Sequence, residues 1–197
     1  MPAVSDLVPT RERILNAGAV LFRRQGYAAT GLKQVVAEAD APFGSLYYHF
    51  PQGKEQLGEE VLRAGGAFFL VLYEQIVDAA PDVVTGVRDF FAGAAETLVA
   101  TDYADACPIA TVAGEIASTH ESLRRAASDV FESWAAAATD RFAAAGIRRG
   151  PARKLALAVV ALIEGGFLLS RAARSTEPMD ASGQAAVALV RAALEAV

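Results

Sequence analysis

Apolar residues recur at helical spacing along almost the whole chain, and alanine fills many of the positions between them. In the first such segment, Ile14, Leu21 and Phe22 fall on one face of a helix that we expect to end at Gly26. β-Branched residues rarely occur in the alternating runs that form strands. Because alanine has the highest helix propensity, this pattern predicts an all-α protein.

The length and composition favour a folded, intracellular protein. The 197 residues are enough for one larger domain or for a small domain joined to a larger one, and 53% of them are hydrophobic. The single cysteine, Cys107, cannot form an internal disulfide, and no cluster of Cys and His has metal-site spacing. We therefore expect a cytoplasmic protein without a metal site.

No segment is expected to cross a membrane. The N-terminal sequence "MPAVSDLVPT" lacks the basic start and apolar run of a signal peptide. The most hydrophobic segment, "KLALAVVALIEGGFLLS" at 154–170, is shorter than a membrane span and carries Glu164. It is interpreted as a core or interface helix.

The charge distribution argues against a protein that coats nucleic acid nonspecifically. The net charge is −5, and residues 1–60 carry six basic and seven acidic side chains. Contact with phosphates depends on local placement of charge, so a small DNA-contacting face is compatible with this balance.

The N-terminal part of the chain predicts three short helices. After the first helix, Thr30 is expected to cap a second one that runs from Leu32 to about Ala39. A third helix starts at Pro42, where proline costs little, and stops near Phe50. Three short helices joined by a tight turn describe a helix-turn-helix unit.

Longer helices follow this unit. They are predicted at about 53–79, from the reset at Pro81 and Asp82 to about 100, at 108–118, from 120 to a stop at Gly146, at 151–174 and at 181–197, with "STEPMDASG" as a connection before the last. The predicted domains are therefore a helix-turn-helix domain over residues 1–52 and a second helical domain over residues 53–197.

The stretch "APFGSLYYHFPQGKEQL", residues 41–57, is unusual for this chain. It crowds four aromatic residues and a histidine into a short helix that prolines and glycines interrupt at both ends. Leu46, Phe50 and Leu57 are expected to pack the small domain. The remaining side chains of such a helix are typically held in place to contact a partner.

These residues resemble the DNA-binding segment of the TetR family of transcriptional regulators. The resemblance covers about residues 11–60 and rests on one ordered set that includes Gly26, Tyr27, Tyr47, His49 and Phe50. "CPIATVAGEIA", residues 107–117, is similar to a segment of the LmrA/YxaF-like branch. The resemblance implies an all-helical homodimer of about nine helices, with an N-terminal three-helix helix-turn-helix DNA-binding domain and a C-terminal ligand-binding and dimerisation domain.

The family's DNA-contacting positions match nine residues of this chain. They are Thr30, Lys33, Phe43, Gly44, Ser45, Tyr47, Tyr48, His49 and Lys54. Gly44 would let the third helix approach the DNA closely, and Phe43 and Ser45 would meet base edges. Tyr48, His49 and the two lysines would contact phosphates of a palindromic double-stranded operator.

The turn before the third helix departs from the family pattern. Where many members have "AGVS", this chain has "ADAP", so Asp40 replaces the turn glycine and Pro42 replaces the serine cap. Aspartate tolerates left-handed backbone geometry, so the turn is expected to form. Asp40 would repel phosphate if its side chain pointed outward.

The second domain is expected to hold a small hydrophobic effector in a mainly apolar pocket. The predicted ligand-binding residues are Phe68, Tyr73, Phe91, Cys107, Glu115, Phe131, Trp134 and Phe167. Trp134 is the strongest candidate because its ring can stack and its N–H can orient a ligand. Ordinary core packing for the aromatic residues and Cys107, and a solvated position for Glu115, are the alternatives.

The segment "RKLALAVVALIEGGFLLSRAA" and the final helix could form a four-helix interface across a two-fold axis, with an internal core helix as the alternative. The leading functional hypothesis is a dimeric, ligand-responsive repressor without a cofactor. A helical enzyme is disfavoured, because His120 with Glu115 and Glu121 lacks the spacing of a di-iron bundle. The other alternative is a helical small-molecule-binding or scaffold protein whose helix-turn-helix contacts protein.

Overall fold

A computed structural model describes residues 8–116 and 119–196 of the chain. Within these ranges the protein has nine α-helices and no strand, which confirms the predicted fold class. The helices are α1 (Thr10–Gln25), α2 (Leu32–Glu38), α3 (Phe43–His49), α4 (Lys54–Ala79), α5 (Val83–Ala100), α6 (Pro108–Ile116), α7 (Glu121–Ala144), α8 (Arg149–Ala173) and α9 (Glu177–Glu195). The helix ends predicted at 118 and 197 lie outside the described residues.

The chain divides into two compact units. Unit 1 comprises the described residues of Met1–Gly66 and Pro108–Ser128, and unit 2 those of Ala67–Cys107 and Asp129–Val197. The division falls inside α4 and inside α7, so each of these helices contributes residues to both units. The functional boundary expected at residue 52 lies within unit 1 and stays a prediction.

Unit 1 is built on a small apolar core beneath the helix-turn-helix. Helix α1 packs against α2, α3 and α6. The predicted packing residues Leu46, Phe50 and Leu57 are completely buried, together with Ile14 and Phe22. Burying each such side chain contributes on the order of 2 kcal/mol, so this core fixes the orientation of the short helices that could not persist alone.

Helix α1 ends at Gly26 as predicted, and the residue has to be glycine for two reasons. Its φ of 85° lies in the left-handed region. A Cβ atom at this position would also lie 1.8 Å from Oε1 of Glu115 on α6. The turn between α1 and α2 is therefore shaped by a residue almost ninety positions away.

The predicted cap of α2 is wrong. The capping residue is Gly31, whose N–H donates to Oε1 of Gln34 at 2.9 Å. Thr30 is buried, and its hydroxyl donates to the carbonyl of Gly26 at 2.6 Å. Because this hydroxyl is engaged with the preceding turn, the glutamine side chain satisfies the start of the helix instead.

Unit 2 is organised around α8, which packs against α9 and α5. Arg171 of α8 also donates to the carbonyls of Tyr103 and Ala104, each at 3.2 Å, and so holds the segment that follows α5. The most deeply buried apolar residues of the unit include Leu98, Phe142 and Met179.

Helix α9 begins four residues earlier than predicted, inside the expected connection. Pro178 is tolerated in the first turn, where its missing N–H has no helical partner, and Glu177 and Asp180 favour the positive end of the helix. Buried Met179 donates its N–H to the hydroxyl of Ser170 at 3.0 Å. This tertiary contact stabilises the early start.

Helix α8 contains a long, strongly apolar stretch. By length and composition it could cross a membrane, but core helices of soluble proteins meet the same criteria. Here one face, including Leu155, Val159 and Ile163, is buried within unit 2. The prediction that it serves as a core helix is thus supported for that face.

Candidate functional site

Helix α3 separates its side chains into a buried face and an exposed face. Leu46 is fully buried on one side, whereas Phe43, Tyr47 and Tyr48 are 44%, 48% and 81% exposed. Large apolar or aromatic side chains on one short helix rarely face solvent together without a binding role. This exposed face forms a candidate recognition surface, which we define as Phe43, Gly44, Ser45, Tyr47, Tyr48 and His49.

The aromatic rings on the recognition surface are ordered by contacts with one another. The rings of Phe43 and Tyr47 meet edge to face with centroids 5.8 Å apart, and those of Tyr48 and His49 do so at 4.9 Å. Apart from its chain neighbours and its own helix backbone, a Cβ atom added at Gly44 would meet none of the described atoms within 4 Å. The surface thus presents hydroxyl and imidazole groups around Gly44, where the backbone itself is exposed.

The turn before α3 has the geometry expected for the Asp40 substitution. Asp40 adopts a φ of 47°, in the left-handed region, which confirms that aspartate supports the turn. Its carbonyl accepts a hydrogen bond from Nη1 of Arg13 at 2.9 Å. Its carboxylate is 93% exposed and lies 3.9 Å from the same Nη1 atom, so Arg13 partly compensates an outward negative charge.

Two predicted DNA-contacting residues are engaged inside unit 1. Thr30 is buried, and its hydroxyl also accepts from Nε2 of Gln25 at 3.1 Å. Lys54 donates from Nζ to the carbonyl of Ala28 at 3.3 Å and lies 4.4 Å from the ring centroid of Tyr27. Burial lowers the pKa of Lys54, and the charge of Glu115 partly opposes that shift.

Lys33, by contrast, is exposed on α2. A free ammonium group on the helix next to α3 can reach a phosphate without losing an internal contact. Seven of the nine predicted residues are therefore at least partly accessible without rearrangement, and their hydroxyl, imidazole and ammonium groups suit phosphate oxygens and base edges.

Unit 2 contains a narrow apolar cavity. The space between its lining atoms amounts to about 510 Å³ including the mouth, of which about 40 Å³ can hold the centre of a water molecule. It is lined by Phe69, Tyr73, Phe90, Trp134, Ala138, Val159, Val160, Ile163, Glu164 and Phe167. One water molecule needs roughly 10–15 Å³ of such space, so the cavity holds only a few waters. A drug-sized ligand would therefore have to push lining side chains apart.

Three of the eight predicted ligand-binding residues line this cavity, namely Tyr73, Trp134 and Phe167. Phe131 is not among the lining residues, but its ring centroid lies 5.5 Å from that of Trp134, which is. Cys107 is buried, and its thiol hydrogen-bonds the carboxyl group of Glu164.

The other three predicted ligand-binding residues lie elsewhere. Phe68 is 66% exposed on α4, and Phe91 is buried where α9 comes close, since a Cβ atom at Gly183 would lie 2.9 Å from the Cβ atom of Phe91. Glu115 belongs to unit 1, where its carboxylate accepts from the N–H of Ala28 at 2.7 Å. Helix packing therefore brings none of the three to the cavity.

Sequence reasoning missed several lining residues. Phe69 and Phe90 are the sequence neighbours of two predicted ligand-binding residues, Phe68 and Phe91. Glu164 carried a usable signal, because it is the only charged residue in the most hydrophobic segment of the chain, 154–170, after its first residue. A lone carboxyl group in such a helix either pairs with a partner or faces a cavity.

Two residues that line the cavity carry buried polar groups, although the cavity wall itself is apolar. Burial raises the pKa of Glu164 to about 7, although the thiol of Cys107 partly offsets this effect, and burial raises the pKa of Tyr73 to about 12. Within the described ranges, Glu164 Oε2 and Tyr73 Oη have no hydrogen-bond partner. Within 8–116 and 119–196, no three His, Cys, Asp or Glu residues form a group that could hold a metal ion.

Comparison with known proteins connects both sites to one family. The family model of the TetR N-terminal domain matches residues 14–61, and that of the LmrA/YxaF-like C-terminal domain matches residues 83–185. The HTH-type transcriptional regulator LmrA of Bacillus subtilis is 34% identical over 86% of this chain and 90% of its own. The regulator YxaF of the same organism is 35% identical over 92% of this chain and 95% of its own.

Solved structures agree on the fold. A TetR transcriptional regulator from Legionella pneumophila superimposes with a TM-score of 0.81, covering 91% of this chain and 96% of its own at 22% identity. The relatives are transcriptional regulators and not enzymes, which confirms the predicted functional class. The chain belongs to the TetR family of transcriptional regulators and, within it, to the LmrA/YxaF-like branch.

Proposed function

We propose that this protein is a cytoplasmic, ligand-responsive repressor that binds a palindromic DNA operator as a homodimer and is released by a small hydrophobic effector. The observation that carries the proposal is the exposed aromatic and polar face of α3 above the buried Leu46 and Phe50. A helix of this kind in a helix-turn-helix enters the major groove.

The recognition surface divides by chemistry into base-reading and phosphate-binding residues. Phe43 and Ser45 face base edges, with the phenylalanine ring suited to a thymine methyl group, and the backbone at Gly44 makes the closest approach. Tyr47, Tyr48, His49 and Lys33 donate to phosphates. Thr30 and Lys54 act mainly by holding the turn between α1 and α2, because both have partners within unit 1.

Dimerisation is proposed to use the exposed apolar faces of α8 and α9. Leu157, Leu168 and Leu169 of α8 and Leu189 of α9 are all at least 45% exposed. Four such helices, two from each subunit, would bury these leucines across a two-fold axis. A two-fold dimer also matches the symmetry of a palindromic operator.

Release by an effector is proposed to act through α4. This helix carries Lys54 and Leu57 in unit 1 and Phe69 and Tyr73 at the cavity in unit 2. A ligand that widens the narrow cavity would shift α4. A shift of α4 would change the spacing of the two recognition helices and lower their affinity for DNA.

The test is fluorescence anisotropy of the full chain with labelled fragments of the intergenic DNA beside its gene, across a salt series. We expect tight binding to one fragment and a steep decrease between roughly 50 and 200 mM salt. Lys33→Ala should reduce the slope of log affinity against log salt concentration by about one, whereas Lys154→Ala on α8 should leave that slope unchanged. Equal affinity for that fragment and for random DNA would favour the alternative in which α3 contacts protein.

A further inference from the structure

The effector cavity contains an arrangement that apolar packing alone does not explain. Glu164 and Tyr73 are both among its lining residues, and neither Oε2 of Glu164 nor Oη of Tyr73 has a hydrogen-bond partner among the described residues. Leaving a buried polar atom unsatisfied typically costs about 1–3 kcal/mol. Both atoms belong to residues that line this cavity, so a ligand that widens it could supply the missing hydrogen bonds.

The ionisable groups among the described lining residues are acidic. Glu164 is the only ionisable side chain besides Tyr73 among the described lining residues, and no Lys, Arg or His is among them. Arg141 lies 5.6 Å from the ring centroid of Tyr73, but it donates to both carboxylate oxygens of Asp78 at 2.7 and 2.6 Å and lies 3.4 Å from Glu74. These three side chains together carry a net negative charge, so within the part of the chain that the structure describes no positive charge compensates Glu164.

The aromatic residues of the lining reinforce this preference. Five rings surround the cavity, those of Phe69, Tyr73, Phe90, Trp134 and Phe167. The faces of aromatic rings attract cations, and a ring of aromatic side chains with an acidic group is suited to an ammonium ligand. An anionic ligand would meet the carboxyl group of Glu164 with no Lys, Arg or His among the described lining residues to compensate it.

We propose that this cavity recognises lipophilic amines, with the ammonium group bound by Glu164 and the apolar body placed among the aromatic rings. The inference rests on the proposed effector function and names the chemical class of the effector. In the bound state the ammonium N–H donates to Oε2 of Glu164, and Tyr73 Oη accepts a second N–H. Flat neutral or acidic compounds of the same size bind more weakly.

The test uses two probes of equal length, 4-phenylbutylamine, which is charged near neutral pH, and 4-phenylbutan-1-ol, which is neutral. Trp134 is the only tryptophan of the chain and lines the cavity, so its fluorescence reports binding directly. With the full-length protein, we expect the amine to bind at least about tenfold more tightly than the alcohol. Glu164→Gln should abolish that preference while leaving the affinity for the alcohol nearly unchanged.

Controls separate charge from folding. Glu96→Gln removes the same charge at an exposed position of α5 and should preserve the preference. Tyr73→Phe should lower the affinity for the amine modestly, and the amine should still bind more tightly than the alcohol. Far-UV circular dichroism and the melting temperature establish that Glu164→Gln folds.

Three outcomes would overturn the proposal: equal affinity for the two probes, a preference for the amine that persists in Glu164→Gln, or no binding of either probe. Equal affinity for the two probes would still allow the cavity to bind neutral effectors. Because operator binding is measured separately by anisotropy without any probe, a negative result here leaves the DNA-binding part of the proposed function unaffected.

Discussion

Glu115 and Lys54 hold opposite sides of one residue, Ala28. The carboxylate of Glu115 accepts from the N–H of Ala28 at 2.7 Å, and Nζ of Lys54 donates to its carbonyl at 3.3 Å. Both contacts lie within unit 1 and are charge-assisted. The turn that leads into the helix-turn-helix is thus fixed by a side chain of α6 and another of α4.

Removing the Glu115 contact should loosen this turn. We expect Glu115→Ala to lower the free energy of unfolding of unit 1 by about 1 kcal/mol, because the hydrogen bond is charge-assisted but exposed. Hydrogen exchange of the Ala28 amide should accelerate accordingly. Glu115→Gln keeps an acceptor oxygen, so its exchange rate should lie between those of wild type and Glu115→Ala. An unchanged exchange rate in Glu115→Ala would show that the contact contributes nothing.

Substitution of Gly44 should separate folding from DNA binding. No atom lies within 4 Å of a Cβ at this position, so Gly44→Ala should stabilise α3 by up to about 1 kcal/mol. If the backbone here approaches DNA, the same methyl group should weaken operator binding at least tenfold. Gly93→Ala on α5, also with open space around it, should stabilise the protein and leave DNA affinity unchanged. Equal DNA affinities of Gly44→Ala and wild type would exclude a close approach.

A charge on the exposed face of α8 should disrupt the proposed dimer. Leu168 is 69% exposed, so Leu168→Glu should cost the isolated subunit little while placing two carboxylates in the interface. Sedimentation velocity should then show a shift from dimer to monomer. Val99→Glu changes another exposed apolar residue, on α5, and should remain dimeric. A dimer that persists in Leu168→Glu would place the interface on another surface.

The burial of Glu164 should make stability depend on pH. Burial raises its pKa to about 7 in the folded protein, whereas the carboxyl group ionises near 4.5 in the unfolded chain. The folded state therefore retains the proton longer, so the free energy of unfolding should decrease between about pH 4.5 and 7, by up to about 3 kcal/mol.

Glu164→Gln should remove that part of the pH dependence and be more stable than wild type at pH 8. Urea denaturation of both proteins at pH 5 and pH 8 measures the effect as a difference of differences, in which the titration of all other groups cancels. Glu96→Gln should behave like wild type. The same pH dependence in Glu164→Gln and wild type would mean that Glu164 ionises in the folded protein as it does in the unfolded chain.

Local rules explain why most helices were predictable and one boundary was not. Gly26 ends α1 because its left-handed φ is a property of the residue itself. The start of α9 was placed too late because the N–H of Met179 is satisfied by Ser170 of another helix, a contact that no local pattern signals. Thr30 was wrongly predicted to cap α2, because its hydroxyl donates instead to the carbonyl of Gly26 in the preceding turn.

The sequence by itself determined the helical fold and the recognition surface. Residues 43–49 form one short helix, so their spacing alone decides that Leu46 turns inward while Tyr47 and Tyr48 face solvent. Only the tertiary structure decided the cavity, because its lining comes from α4, α5, α7 and α8. One step along a helix rotates a side chain by about 100°, so packing between helices selects Phe90 for the cavity and buries its neighbour Phe91 against α9.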